Sequence, residues 1–171
     1  MINELEYSIG KLLLQQHKKL MVAESCTGGL IGHRITNVPG SSEYYLGSIT
    51  AYAYEAKETL LGVKHETLLQ HGAVSRETVI EMAYGIRKTL SGQFPMEELI
   101  GLSVSGIAGP GGGMPGKPVG LVWFGLSTPD GDHAWKFLWQ GDRIANKTIS
   151  AQQGLQILLD YLTDKLSPDS F

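Results

Sequence analysis

Lys19-Leu20-Met21-Val22-Ala23-Glu24-Ser25-Cys26-Thr27-Gly28-Gly29-Leu30-Ile31-Gly32-His33-Arg34-Ile35-Thr36 decides the fold. Its first six residues enclose a short apolar run, Leu20 to Ala23, and are bounded by a turn, the pattern of a buried strand. Ser25 to Gly29 are small residues that interrupt any regular element, and a helical stretch over 30–36 follows them. Asn37-Val38-Pro39-Gly40-Ser41-Ser42 then ends the helix as a loop. The unit is strand, turn, helix.

Outward from this unit, Ile2, Leu5, Ile9, Leu12 and Leu13 share one helical stripe, so an amphipathic helix over 2–16 precedes it. Downstream, the aromatic, β-branched and small residues over 45–54 predict a second strand, and 55–61 a short helix stopped by Gly62. Ser75 has the chemistry of an N-cap for a helix carrying Val79, Met82, Ala83, Ile86 and Leu90. A strand over 98–105 runs into a glycine-rich loop over 106–118. Strands over 119–127 and 133–140 are joined by Thr128-Pro129-Asp130-Gly131-Asp132, and a last helix covers about 142–166. Early alternation followed by a late hairpin predicts an α/β fold leaning to α+β: a mixed sheet covered by helices in one three-layer-like domain over 1–171.

Composition narrows the partners. A net charge of −3 gives no chain-wide attraction for phosphate polymers, and no basic run exceeds Lys18-Lys19, so nucleic acid is not an expected partner. A lone Cys26 cannot form an internal disulfide, which fits a reducing compartment. No apolar run reaches the roughly 18 residues of a membrane span. The expectation is a soluble cytoplasmic protein that does not engage membranes.

Glycine is the anomaly, with 22 residues in 171, about 13% against roughly 7% on average. Eight lie between Gly106 and Gly125 and three between Gly28 and Gly32. Each cluster follows a predicted strand, where glycine lets peptide N–H groups approach an anion and a helix start adds partial positive charge. Either cluster alone is equally well read as a tight turn; two at strand ends favour a shared pocket. Gly111, Gly116 and Lys117 nearly match a nucleotide-triphosphate loop, but Pro118 stands where Ser or Thr must hold magnesium, so that reading fails.

Ser25 is the hydroxyl of most interest. At a strand end before a helix it is exposed for nucleophilic attack, with helix N–H groups near for an oxyanion; equally, Ser25 or Thr27 caps the helix. The five histidines, His17, His33, His65, His71 and His133, have no catalytic or metal-binding spacing, and no metal site is expected. Lys57 is the alternative base. It sits in the first turn of its helix, where the dipole disfavours an ammonium, and Tyr52 is within reach to hydrogen-bond to it. A solvated lysine beside Glu55 and Glu58 is the competing reading. Cys26 is a second possible nucleophile, or a small buried hydrophobe.

Ala23-Glu24-Ser25-Cys26-Thr27-Gly28-Gly29, Val38-Pro39-Gly40-Ser41-Ser42, Tyr52 through Glu55-Ala56-Lys57, Leu61-Gly62-Val63, His71-Gly72-Ala73-Val74-Ser75, Ser105-Gly106-Ile107-Ala108-Gly109-Pro110-Gly111-Gly112, Lys117-Pro118-Val119-Gly120 and Gly141-Asp142-Arg143 together resemble the CinA C-terminal domain family over nearly the whole chain. The resemblance implies nicotinamide-nucleotide amidase activity: hydrolysis of the carboxamide of nicotinamide mononucleotide to nicotinate mononucleotide and ammonia, without metal or other cofactor. It implies Ser25 as nucleophile, Lys57 as general base and Tyr52 as its hydrogen-bonding partner. Ser105 joins the polar network, and Thr27, Gly28, Gly29, Gly106, Gly109, Gly111, Gly112 and Arg143 hold the phosphate and the developing oxyanion. It further implies a homo-oligomer, dimeric or larger. In many bacteria the family's domain follows a molybdopterin-binding-like domain; here a stand-alone form is expected.

Three positions depart from the family pattern. Tyr54 replaces an Asn and is expected either to crowd the site or to remove an amide contact, Ser105 stands where Thr is common, and Met114 lies where a smaller or polar residue is usual. Two alternatives to the enzyme follow: a pyridine-nucleotide-binding or regulatory module that has lost turnover, and a competence or DNA-repair accessory protein.

Overall fold

The computed structural model describes residues 4–170. Five strands form one sheet, β1 (Lys19–Glu24), β2 (Tyr45–Thr50), β3 (Leu99–Gly106), β4 (Leu121–Thr128) and β5 (Gly131–Leu138), in the order β2-β1-β3-β4-β5. β1 runs parallel to both β2 and β3, while β3, β4 and β5 are antiparallel, so the sheet is mixed. The helices are α1 (Glu4–Gln15), α2 (Leu30–Thr36), α3 (Tyr54–Leu61), α4 (His65–His71), α5 (Arg76–Lys88) and α6 (Arg143–Leu162).

The apolar pattern sorts these helices into two layers. Ile9 and Leu13 of α1, Ile31 and Ile35 of α2, and Leu155 and Leu158 of α6 close a core with Leu20, Val22, Leu102 and Phe124. On the other face Leu61, Leu68, Met82 and Ile86 from α3, α4 and α5 pack on Met21 and Ala23. β1 and β3 are buried on both faces, which is why they read as nearly continuous apolar runs.

The ranges expected for β1 and α2 coincide with the elements found. Ile2 lies outside the described residues. β2 stops at Thr50 rather than Tyr54, because the Ala51 and Tyr52 carbonyls turn toward Lys57 instead of a strand partner. Between Gly62 and Ser75, where the sequence reading assigns no element, the chain forms α4. Ser75 caps α5 by accepting from the Thr78 N–H, and Asp142 caps α6 by accepting from the Ala145 N–H. Part of the glycine surplus serves packing: a Cβ at Gly101 would stand 2.1 Å from the Ala83 carbonyl oxygen, and one at Gly125 would stand 2.3 Å from that of Val79. These glycines seat α5 on the sheet.

The order β2-β1-β3 matters for the site. From β1 the chain crosses through α2 to one side, then returns from β2 through α3, α4 and α5 to the other. The carboxyl ends of β1 and β3 flank this reversal, where open α/β sheets form their ligand crevices.

Candidate active site

Ser25 follows the last residue of β1, and its N–H donates to the Val104 carbonyl at 3.0 Å, so β3 pins the serine backbone. Across β1, the Ala51 N–H donates to the Glu24 carbonyl at 2.9 Å, fixing the segment leaving β2. Lys57, one turn into α3, points back into this corner. Its Nζ lies 3.0 Å from Ser25 Oγ and donates to the carbonyls of Ala51 at 2.7 Å and Tyr52 at 3.2 Å. A lysine 1% exposed, with no carboxylate partner among the described residues, resists protonation, and burial lowers its pKa from 10.5 to about 8. Burial is the leading cause. The two carbonyls match the two N–H bonds of a neutral amine, which leaves its lone pair for the Ser25 hydroxyl proton.

Tyr52 meets Lys57 differently from the sequence expectation. It contributes its backbone carbonyl, while its phenol oxygen accepts from Arg143 at 3.0 Å. The tyrosine hydroxyl is therefore engaged with α6 and not with the lysine.

The turn after Ser25 corrects a second expectation. The Glu24 carboxylate, 0% exposed, accepts from the Thr27 hydroxyl at 2.7 Å and from the N–H groups of Gly29, Ile31 and Gly32 at 3.0, 3.1 and 2.9 Å. Glu24 is the cap of α2; neither Ser25 nor Thr27 fills that role. The Gly28 N–H closes the turn onto the Ser25 carbonyl. The N–H groups of Gly28 and Gly29 are thus already in use, and the carboxylate offsets the positive end of the helix. Gly28 and Gly29 adopt φ of 63° and 96°, which keeps side chains off this turn.

The second glycine segment lies across the crevice. Ser105, 1% exposed, is on β3 opposite Trp123, and Gly106 ends the strand. Beyond them, α6 holds the loop. Arg143 donates to the Gly109 carbonyl at 2.8 Å, and Asn146 Nδ2 donates to the Ala108 carbonyl at 3.1 Å. Ala108, Gly109, Pro110, Val119, Asp142 and Arg143 border a cleft of about 410 Å³. Gly111 and Gly112 are exposed further along the loop, and Lys117 returns to the body of the protein by donating to the His71 carbonyl.

Tyr54 does not crowd the serine through its hydroxyl. That oxygen accepts from the Ala73 N–H at 3.2 Å, so the residue braces the loop between α4 and α5. Burial pushes the Cys26 thiol up to about 12, which keeps it a protonated core group. His65, His71 and His133 pair with Glu58, Glu77 and Asp169 respectively. Sequence reasoning gave Glu24, Asn146 and Lys147 no role. Glu24 had a signal: an acidic residue closing an apolar strand immediately before a helix start.

The CinA C-terminal domain model matches residues 2–162. The chain belongs to the CinA family. A relative in Halothermothrix orenii bearing a competence-damage inducible name is 49% identical over 155 residues, covering 90% of this chain and 36% of its own. A CinA-like protein of Salinibacter ruber is 45% identical over 152 residues, or 89% and 35% of the two chains. This chain thus spans about a third of the length of these curated relatives. The crystal structure of a CinA superfamily protein from Klebsiella pneumoniae superposes with a TM-score of 0.86 at 32% identity, covering 94% of this chain and 97% of that one. A competence/damage inducible protein from Agrobacterium tumefaciens superposes at 0.81 with 31% identity, covering 94% and 96%. Among the described residues, no helix is long and apolar enough to cross a membrane.

Proposed function

We propose that this CinA domain is an amidohydrolase that converts nicotinamide mononucleotide to nicotinate mononucleotide and ammonia. The observation that carries this reading is the 3.0 Å approach of Ser25 Oγ to a buried lysine whose pKa is lowered to about 8. Lys57 takes the hydroxyl proton as Ser25 Oγ bonds to the carboxamide carbon. The tetrahedral intermediate collapses by breaking the C–N bond, and the Lys57 ammonium returns its proton to the departing ammonia. Water, deprotonated by the same amine, then cleaves the ester and regenerates Ser25. In this reading Ser105 and the backbone around Gly106 and Gly109 serve as the wall facing the nucleophile, supported by Arg143, which ties Gly109 to Tyr52.

The regulatory-module reading draws on Tyr54 in two ways, and the contact of its hydroxyl with Ala73 answers only the crowding of the pocket, not the missing amide contact. The test is ammonia release from nicotinamide mononucleotide. Ser25→Ala and Lys57→Ala are each expected to lower kcat on the order of a thousandfold. A wild-type protein that binds the nucleotide and never hydrolyses it overturns the enzyme reading.

A further inference from the structure

The Glu24 carboxylate leaves an anionic substrate without the handle the sequence suggested, the N-terminus of α2. A cation must come from elsewhere in the crevice, and α6 provides two. Arg143 and Lys147 are four residues apart, on one face of the helix. Arg143 spends two donors on the Gly109 carbonyl and the Tyr52 hydroxyl, and so ties the glycine loop to the segment after β2. Lys147 is half-buried and, among the described residues, makes no ion pair or hydrogen bond. Its Nζ lies 3.7 Å from where a Cβ on Gly28 would stand, against the turn whose carbonyl end is Ser25. An uncompensated ammonium beside a side-chain-free turn, next to the nucleophile, is a poised ligand for a small anion.

We propose that Lys147 binds the phosphate monoester of the substrate across Gly28, and that Arg143 chiefly positions the opposite wall. This rests on the amidase reading for the identity of the substrate, but the anion site stands on its own geometry. Lys147 would then set specificity for phosphorylated over unphosphorylated amides, an assignment that neither motif spacing nor the Ser25–Lys57 pair supplies.

Binding and turnover separate the two claims. Ribose 5-phosphate is the binding probe, titrated by calorimetry against wild type, Lys147→Ala and Lys147→Arg, with unliganded melting as the check on folding. Wild type and Lys147→Arg should bind alike, and Lys147→Ala at least about tenfold more weakly, the loss of one charge-assisted contact. In turnover, Lys147→Ala should raise KM for nicotinamide mononucleotide by about tenfold or more with kcat nearly unchanged, and should leave hydrolysis of nicotinamide riboside as it was. Equal binding by wild type and Lys147→Ala overturns the proposal, as does absence of ribose 5-phosphate binding to wild type. Lys147-dependent binding without ammonia release sustains the anion site and defeats the amidase reading instead.

Discussion

The two glycine-bearing turns of the crevice are held by opposite means. The turn after β1 is stabilised from within: Glu24, its immediate neighbour, receives the Thr27 hydroxyl and three N–H groups, all within eight residues. The loop after β3 is held from without, by Arg143 and Asn146 of α6 and by Lys117 reaching the carbonyl that ends α4. A short-range carboxylate cap makes a rigid platform suited to a nucleophile. Long-range side-chain tethers make a wall that adjusts with the helices carrying them. On the proposed amidase reading the difference divides labour: the turn fixes Ser25, and the externally tethered loop adjusts to the substrate.

The strongest way to break this contrast is to remove the internal cap. Glu24→Ala strands three N–H groups and a buried hydroxyl, and should cost about 3 kcal/mol in denaturant unfolding. Glu24→Gln retains an acceptor and should lose about half as much. If the two variants are equally stable, Glu24 does not organise the rigid turn.

The Lys57 amine offers a pH test of the same corner. Only the neutral form accepts the serine proton, so kcat/KM should rise toward pH 8 and level off above it. The stability effect has the same sign. The folded state binds the lysine proton less tightly than the unfolded chain, so wild type is penalised at pH 7 and relieved as pH climbs from about 8 to 10.5. Relative to Lys57→Met, wild type should gain stability over that interval. A difference independent of pH would show that the amine titrates as in water.

The external tethers should yield more gently. Asn146→Ala removes its donations to the Ala108 and Gly141 carbonyls and should cost about 1 kcal/mol globally. Hydrogen exchange should rise over 106–118 and stay unchanged over 25–32. Parallel loosening of both turns would erase the distinction between them. The smallest effect is expected at Cys26: its buried, protonated thiol should react slowly with mild alkylating reagents, and activity should persist. Rapid labelling with loss of turnover would point to a looser rigid side than the hydrogen bonds describe.

The ease of reading the chain followed how local its determinants are. β1 and α2 were legible because four apolar residues, Leu20 to Ala23, lie a single residue before five small ones and an apolar helical stretch. The cap at Ser75 was legible for the same reason, since it acts on an N–H three residues ahead; Asp142 caps α6 at the same spacing but was read only as the start of that helix. α4 was not: it spans seven residues, has no side-chain cap, and buries only Leu68, which gives no helical period to detect. β2 was read too long because composition carries no sign that the Ala51 and Tyr52 carbonyls serve Lys57. Ser25 and Lys57 could be named as candidates, but their 3.0 Å separation joins positions 32 residues apart.

By itself the sequence determined the strand-turn-helix opening, the mixed α/β character, the Ser75 cap of α5 and the glycine-rich segments at two strand ends. Each depends on apolar periodicity or on contacts only a few residues long. The tertiary structure alone decided that Glu24 occupies the helix terminus, that the Tyr52 hydroxyl faces Arg143, that Tyr54 braces a neighbouring loop and that Lys147 stands over Gly28. Except for Glu24, these are contacts between separate segments, set by the order β2-β1-β3 and by the layer in which each helix lies. Glu24 is near its partners in sequence, yet burial at the end of a central strand, rather than residue type, selects capping over exposure to solvent.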